Sequence, residues 1–484
     1  MLFAPALVAS SVLLSACGGS DNDFVFGPTG EIRVIHASKD APEVDVVLTD
    51  TVGGSSTTAV DNLDYSESSG YASVPASTYD VSVQAVLPDG TTPEVIPIPG
   101  VDVAEDSRTT AIAVGTVAIE GGTDIPLEAI TVADPAVDPA ANQVSVTVVH
   151  ASPTAGAVSV RVDFAGGNAG FDFDYRATVD TSSVVAPLPA DIVRIRVALQ
   201  GDDPVTDSVY DSGDVDLAPY AGQKLLILAV DTTTQIRSDA SNGSPIKLLV
   251  AADDAASNAV LLDSSTLAGV KIAHISPDAG QVDVTVNGAI AVTALDYLEA
   301  ALPGPGTSQI PTPTNQAYIG LDAGTYSLNV QPTGSGTDVL NPSPSVALTA
   351  GEEYSVLALG RVGGTSPNFT LTPTVDSNRP IATQASLKVV HGAPDVPTVD
   401  VFAVVGSTDV LLVDDISFGE VTEYLPISVP LTATVEVRDQ VGTVRISVPG
   451  VTLSAGDVIT AIAYQPDEAA PIDPADVGLL LLTN

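Results

Sequence analysis

Four histidines occur in this 484-residue chain, and each stands at the same place in a recurring phrase. The phrase reads IRVIHASKDAPEVDV from Ile32 to Val46 and VTVVHASPTAGAVSV from Val146 to Val160. It returns as VKIAHISPDAGQVDV from Val270 to Val284 and as LKVVHGAPDVPTVDV from Leu387 to Val401. The histidines are 114, 124 and 117 residues apart. A unit of that length can enclose a hydrophobic core of its own. The period therefore predicts a string of four domains rather than a solenoid of short repeats.

Further landmarks recur at matching distances. A turn and a tyrosine follow in Pro75-Ala76-Ser77-Thr78-Tyr79 and in Asp322-Ala323-Gly324-Thr325-Tyr326; the second repeat has Pro189-Ala190-Asp191-Ile192 there. A second turn precedes an apolar run at Ala221-Gly222, Ala350-Gly351 and Ala455-Gly456, with Glu105-Asp106-Ser107-Arg108 in the first repeat. Segments such as Val144–Val148 and Val282–Val286 alternate apolar and polar residues, the period of a half-buried strand, and Pro or Gly punctuates the chain about every ten residues. These signals predict an all-β chain of four tandem immunoglobulin-like, Greek-key β-sandwiches over 31–134, 143–252, 269–376 and 386–484. The tyrosine turn resembles the tyrosine corner of such sandwiches. Linkers rich in Asp, Ala, Pro, Ser and Asn fall near Asp134–Asn142, Ala251–Ala268 and Asp376–Ala385.

The N-terminal sixteen residues, MLFAPALVASSVLLSA, are apolar, too short to span a bilayer as a stable anchor, and match the core of a secretory signal. Leu14-Ser15-Ala16-Cys17 resembles the bacterial lipobox, in which the cysteine is acylated and the peptide is cut before it. Residues 1–16 then read as a lipoprotein signal peptide, Cys17 as the lipid attachment site and 17–30 as a flexible tether. No Lys or Arg precedes Arg33, so the basic segment usual in such signals is missing. By resemblance to proteobacterial sorting, Gly18 after the cysteine favours the outer membrane. Cys17 is the only cysteine, which excludes an internal disulfide and a thiolate metal cluster.

A formal net charge of −44 repels nucleic acid and anionic lipid and favours divalent cations and basic partners. The 45% hydrophobic content argues against disorder, so the charge coats a folded protein. Tryptophan is absent, which leaves few faces for stacking on glycans.

The phrase V-x-H-A-S-P-D-A-x-x-V-D-V, followed by A-G-T-Y and A-G-x-x-Y, resembles the bacterial family of domains of unknown function numbered 4397. The resemblance covers nearly the whole chain after the signal, four times over. It implies an extracytoplasmic β-sandwich, often in lipoproteins and surface proteins, and carries no agreed activity.

The phrase offers one candidate site. His36 with Asp40 and Asp45, His274 with Asp278 and Asp283, and His391 with Asp395 and Asp400 could bind a metal or move a proton. Strand parity argues against it. Each histidine shares a face with the apolar residues two and four before it, opposite Lys271, Lys388 or Thr147, while Asp283 lies between Val282 and Val284 on the other parity. The second repeat keeps His150 but has Thr154 and Ser159 where the others have acids, so it serves as a control that lacks the carboxylates. The plainer reading is a histidine at the rim of the core, hydrogen-bonded to backbone beside a Pro-Asp turn. The linker acids Asp253-Asp254 and Asp376 are candidates to hold calcium between domains, with solvated acidic linkers as the plainer reading. No serine elbow, phosphate-cradling glycine loop or H-E-x-x-H segment is present.

The sequence thus leads to a non-enzymatic, lipid-anchored envelope protein with no resident cofactor. Its four sandwiches stand in a row for adhesion or for contact with envelope or matrix partners. The alternatives are a lipoprotein that binds a metal or small ligand through the phrase, and an enzyme with a site between domains.

Overall fold

A computed structural model of the protein describes residues 27–118, 125–134, 138–180, 188–233, 244–253, 258–298, 300–301, 318–364, 366–465 and 477–483. The signal segment, Cys17 and Asp254 lie outside the described residues. The described chain is built of strands, with one 3-10 turn at Ala218–Tyr220. Among the described residues no helix is long and apolar enough to cross a membrane.

The first repeat shows the plan. Its strands are β1 Thr29–His36, β2 Val44–Asp50, β3 Ser56–Leu63, β4 Ala72–Pro75, β5 Ser77–Ala85, β6 Glu94–Val103, β7 Arg108–Val114 and β8 Glu128–Ala133. They form two sheets, in orders β4-β1-β7-β8 and β3-β2-β5-β6. Ile32, Val34, Val46, Leu48, Val81 and Val83 fill the space between them. The other repeats follow the same plan around cores of their own. The all-β sandwich reading is correct, with one feature it did not contain: β1 and β7 run parallel, as do their counterparts in every repeat. The tyrosine turns are tyrosine corners. The Tyr79 hydroxyl donates to the Pro75 carbonyl at 2.7 Å, and Tyr326 to Asp322 at 2.9 Å. The turn before β7 needs a left-handed residue, supplied by Gly222, Gly351 and Gly456 at φ near +85° and by Asp106 at φ 56° in the first repeat.

Two sequence expectations change. The segment Ala259–Leu261, read as linker, is a strand that extends the sheet of the second repeat. More importantly, the domains do not stand in a simple row with one sheet face toward solvent. The β4-β1-β7-β8 sheet of the first repeat packs its outer face against the matching sheet of the second. Ile35, Ile112, Val114 and Val132 meet Val149, Leu226, Leu228, Val230 and Leu249 there. The third and fourth repeats pair in the same way through Ala273, Ile275, Leu357, Leu359, Val390 and Ile462. Strands such as Lys224–Asp231 are thus buried on both faces, which explains their unbroken apolar runs.

The linker between the third and fourth repeats also touches the first. Arg379 donates from Nε to the Lys39 carbonyl at 2.7 Å, reaches the Ala41 carbonyl and the Asp64 carboxylate, and lies over the Tyr65 ring. The Ala382 N–H donates to the Asp40 carbonyl at 2.8 Å.

Candidate functional site: the histidine phrase and the paired sheets

Each phrase histidine ends the first strand of its repeat, where the chain turns to cross to the other sheet. All four rings are buried. In the first repeat, His36 Nε2 meets the Pro42 carbonyl at 2.9 Å while its Nδ1 accepts the Ser38 N–H at 3.3 Å. His274 repeats this with Gly280 at 2.8 Å and Ser276 at 3.2 Å. His150 does so with Gly156 and Ser152. His391 Nε2 meets the Pro397 carbonyl at 3.1 Å. A nitrogen that accepts from backbone N–H carries no proton, so Nε2 holds it and donates to the carbonyl. In the first three repeats the neutral ring locks the turn by bonding two and six residues ahead; His391 keeps the bond six ahead, and its buried Nδ1 accepts no hydrogen bond. Burial pushes the His36 ring down to about 4, against the pull of the Pro42 carbonyl. Burial lowers His150 and His391 as well. An aromatic ring stands edge-on to each imidazole: Tyr65, Tyr175, Tyr297 and Phe418, with centroids 5.9 to 6.2 Å away.

The aspartates do not gather on the histidine as a ligand set. Asp40 accepts the N–H groups of Val117 and Ala118, and Asp278 those of Val362 and Gly363, tying the phrase turn to the loop after the parallel strand. Asp395 instead accepts from Gln465 Nε2 at 3.1 Å and pairs with Arg361 of the third repeat. The second aspartate serves the opposite sheet. Asp45, Asp283 and Asp400 accept, each at 2.9 Å, the N–H of Asn62, Ala294 and Asp415. Those three residues have φ near +50° and sit at bulges where the hairpin register shifts. The second repeat has Ser159 at this place, and its hairpin runs without a bulge. Thus the outward aspartate holds a bulge. Asp283 is nevertheless buried, because Thr333 and Gly334 fold over it and donate to it. Burial pushes its carboxyl upward, but the N–H groups of Ala294 and Gly334 and the Thr333 hydroxyl outweigh that and hold it below the usual range.

The second repeat is not the carboxylate-free control that its sequence suggests. Asp231, at the end of the parallel strand, accepts from Ser152 and from Thr154 at 2.5 Å and so supplies the missing acid from the other side of the turn. Asp231 also marks the pair contact, since the Tyr65 hydroxyl of the first repeat donates to its carbonyl. In the second pair, Tyr297 donates to the Gln465 carbonyl in the same manner.

A second repeated arrangement escaped the sequence reading. Three residues before the histidine stand Arg33, Lys271 and Lys388, in a chain with only 16 basic residues. All three are buried on the face shared by a pair. Each lies over a tyrosine ring: Arg33 on Tyr71 at 4.3 Å, Lys271 on Tyr318 at 4.7 Å and Lys388 on Tyr424 at 4.3 Å. A carboxylate closes each pair's cluster. Tyr71 donates to Asp134 at 2.7 Å, and Tyr318 to Asp376 at 2.8 Å. Asp376 lies 3.5 Å from Lys271 Nζ and 3.4 Å from Lys388 Nζ. Its oxygens thus answer two lysines and two hydroxyls, and its side chain is buried, which corrects the reading of Asp376 as a solvated linker acid. Asp253 lies 3.9 Å from Arg108, and burial followed by the neighbouring Asp134 charge pushes it up to about 6. Elsewhere, Asp400, Asp414 and Asp415 bring three carboxylates within 4.8 Å on the surface, with Asp400 already engaged at its bulge.

Sandwiches clasped in pairs through their phrase-bearing sheets define a tandem-repeat all-β protein whose repeated polar residues serve turns, bulges and the pair contact. The model of the family described as Domain of unknown function (DUF4397) matches residues 30–161, 268–402 and 385–475, more than half of the chain, and the chain belongs to that family. The unmatched stretch between the first two segments holds most of the second repeat, the one with the displaced acid and no bulge. No curated protein matches the chain.

Proposed function

We propose that this is a non-enzymatic, lipid-anchored protein of the cell envelope, held through Cys17, that presents paired β-sandwiches for adhesion or for contact with envelope or matrix components. The observation that supports this reading most is the use of the phrase. Its histidines and acids, the residues best suited to chemistry, are committed to backbone N–H and carbonyl groups. The strongly acidic surface points to basic or cation-bridged partners. Fractionation of cells that express the wild type and Cys17→Ser tests the anchor. Wild type in the membrane fraction and the variant released is the expected result; equal partition of the two would overturn it. Protease added to intact cells then tests presentation at the surface.

One observation favours a second reading, a small polar ligand held between domains. A cavity of about 240 Å³ lies between the first repeat, the linker and the fourth repeat, lined by Glu43, Asp64, Arg379, Gln384, Ser386 and Tyr424. Burial and the charges of Asp64 and Glu67 push the Glu43 carboxyl upward, a setting that a cationic ligand would relieve.

A further inference from the structure

The centre of the second pair holds a lysine and a carboxyl group in an enclosed setting. Lys271 stands on the first strand of the third repeat, Ala268–His274, and Asp376 ends the last, Thr370–Asp376. Between them runs Glu353–Leu359, with Ser355 opposite Lys271 and Glu353 opposite Asp376. These side chains share one face of the sheet, the face closed off by the fourth repeat. The Lys271 and Asp376 side chains are 3% and 0% exposed, with Nζ and Oδ2 3.5 Å apart, and Glu353 is buried beside them.

We propose that Lys271 and Asp376 condense into an intramolecular isopeptide bond, a covalent tie between the first and last strands of the third repeat. The ion pair already holds every proton the condensation needs, and exclusion of water around Lys271 disfavours its ammonium relative to the amine that attacks. Burial lowers the Lys271 ammonium against the opposing charge of Asp376. The amine nitrogen attacks Cγ of Asp376 and the C–N bond forms. Charge that develops on the carboxyl oxygens is met by donors already in place. The hydroxyls of Tyr318 and Ser355 point to Oδ2, and Lys388 faces Oδ1 at 3.4 Å. Glu353 is the group placed to take the proton from the nitrogen and hand it to the departing oxygen. The C–O bond breaks, one water leaves and the amide keeps one hydrogen on nitrogen. No oxidant or further reactant is needed. Lys388 is the poorer nucleophile, because its Nζ is directed to the Thr374 hydroxyl at 2.9 Å and the Val375 carbonyl. The first repeat carries Arg33 at the Lys271 position, and a guanidinium stays protonated and does not attack. That repeat therefore has no such bond.

Intact-mass measurement of the purified full-length protein, with peptide mapping, tests this. The expected result is a mass one water below that calculated for the chain with its N-terminal processing included, and a branched peptide joining Lys271 to Asp376. Lys271→Arg and Glu353→Gln would each restore the full mass, with circular dichroism reporting that the chain is folded. The measurement on the wild type stands alone if either variant fails to fold. A folded wild-type chain of full mass, with Lys271 open to reductive methylation after denaturation, overturns the proposal. So does a water loss mapped to a single unbranched peptide, or to Lys388.

Discussion

Leu228→Ala probes the pairing of the repeats directly. Leu228 is fully buried, yet on the sheet of the second repeat it faces away from that repeat's own core and into the cluster with Ile35, Ile112 and Leu249. If the repeats stood apart, this side chain would meet water and its truncation would change stability by less than about 0.5 kcal/mol. Buried between two sheets, its loss removes the transfer free energy and leaves a cavity, about 2–5 kcal/mol together. Four domains do not unfold in one step, so a single unfolding free energy is the wrong observable. Hydrogen exchange resolved by strand is the right one. Where the strands exchange through opening of the pair, that range corresponds to a rise in rate from about 30-fold to a few thousand-fold. The rise would appear in β7 of the first repeat, Arg108–Val114, as well as in Lys224–Asp231, because the two strands share the cavity. Faster exchange confined to the second repeat, or none, would refute the shared face.

Further outcomes follow from single groups. The unfolded chain protonates His36 near 6.5 and the folded ring only at about 4. Stability is therefore full above 6.5 and falls as pH drops toward 4, by about 3 kcal/mol; acid titration of the first repeat's exchange protection should lose this slope in His36→Gln. Asp253 acts in the opposite sense, since a carboxyl raised to about 6 disfavours the folded form above that pH. Asp253→Asn should raise the melting temperature of the first pair at pH 7 and leave it unchanged at pH 4. Asp283→Ala strips acceptors from Ala294 and Gly334 and should cost about 1–3 kcal/mol, read as lost exchange protection in the third repeat's hairpin, with Ser159→Ala in the second repeat near neutral. Arg379→Ala should free the linker from the first repeat, read as faster exchange at Asp40 to Asp64 and a larger radius in solution scattering.

Much of this architecture was legible from the period of the phrase and the alternation of its strands. The core-facing histidine followed from parity with Val34, Val148, Ile272 and Val389, and the tyrosine corners from their turns. The pairing was not legible, because parity was read with only one buried face. Lys271 and Lys388 stood on the parity opposite the core, the side that was taken to face water, but stacking on tyrosine and an acid partner lets a cation enter an apolar contact, as Arg33 also does. The run from Leu225 to Val230, apolar on both parities, was the signal that a second face is covered. Asp231 was missed for another reason. It replaces the acid of the turn from a strand about eighty residues away in sequence, a substitution that only spatial proximity reveals.

Selective nitrogen-15 labelling of the four histidines gives the most direct test that the phrase is a structural clasp. The account predicts four neutral rings protonated at Nε2, unmoved by stoichiometric zinc or calcium, with His36 uncharged down to about pH 5. A ring protonated at Nδ1, or resonances that shift when metal is added, would contradict it and return the phrase to the ligand-binding sites.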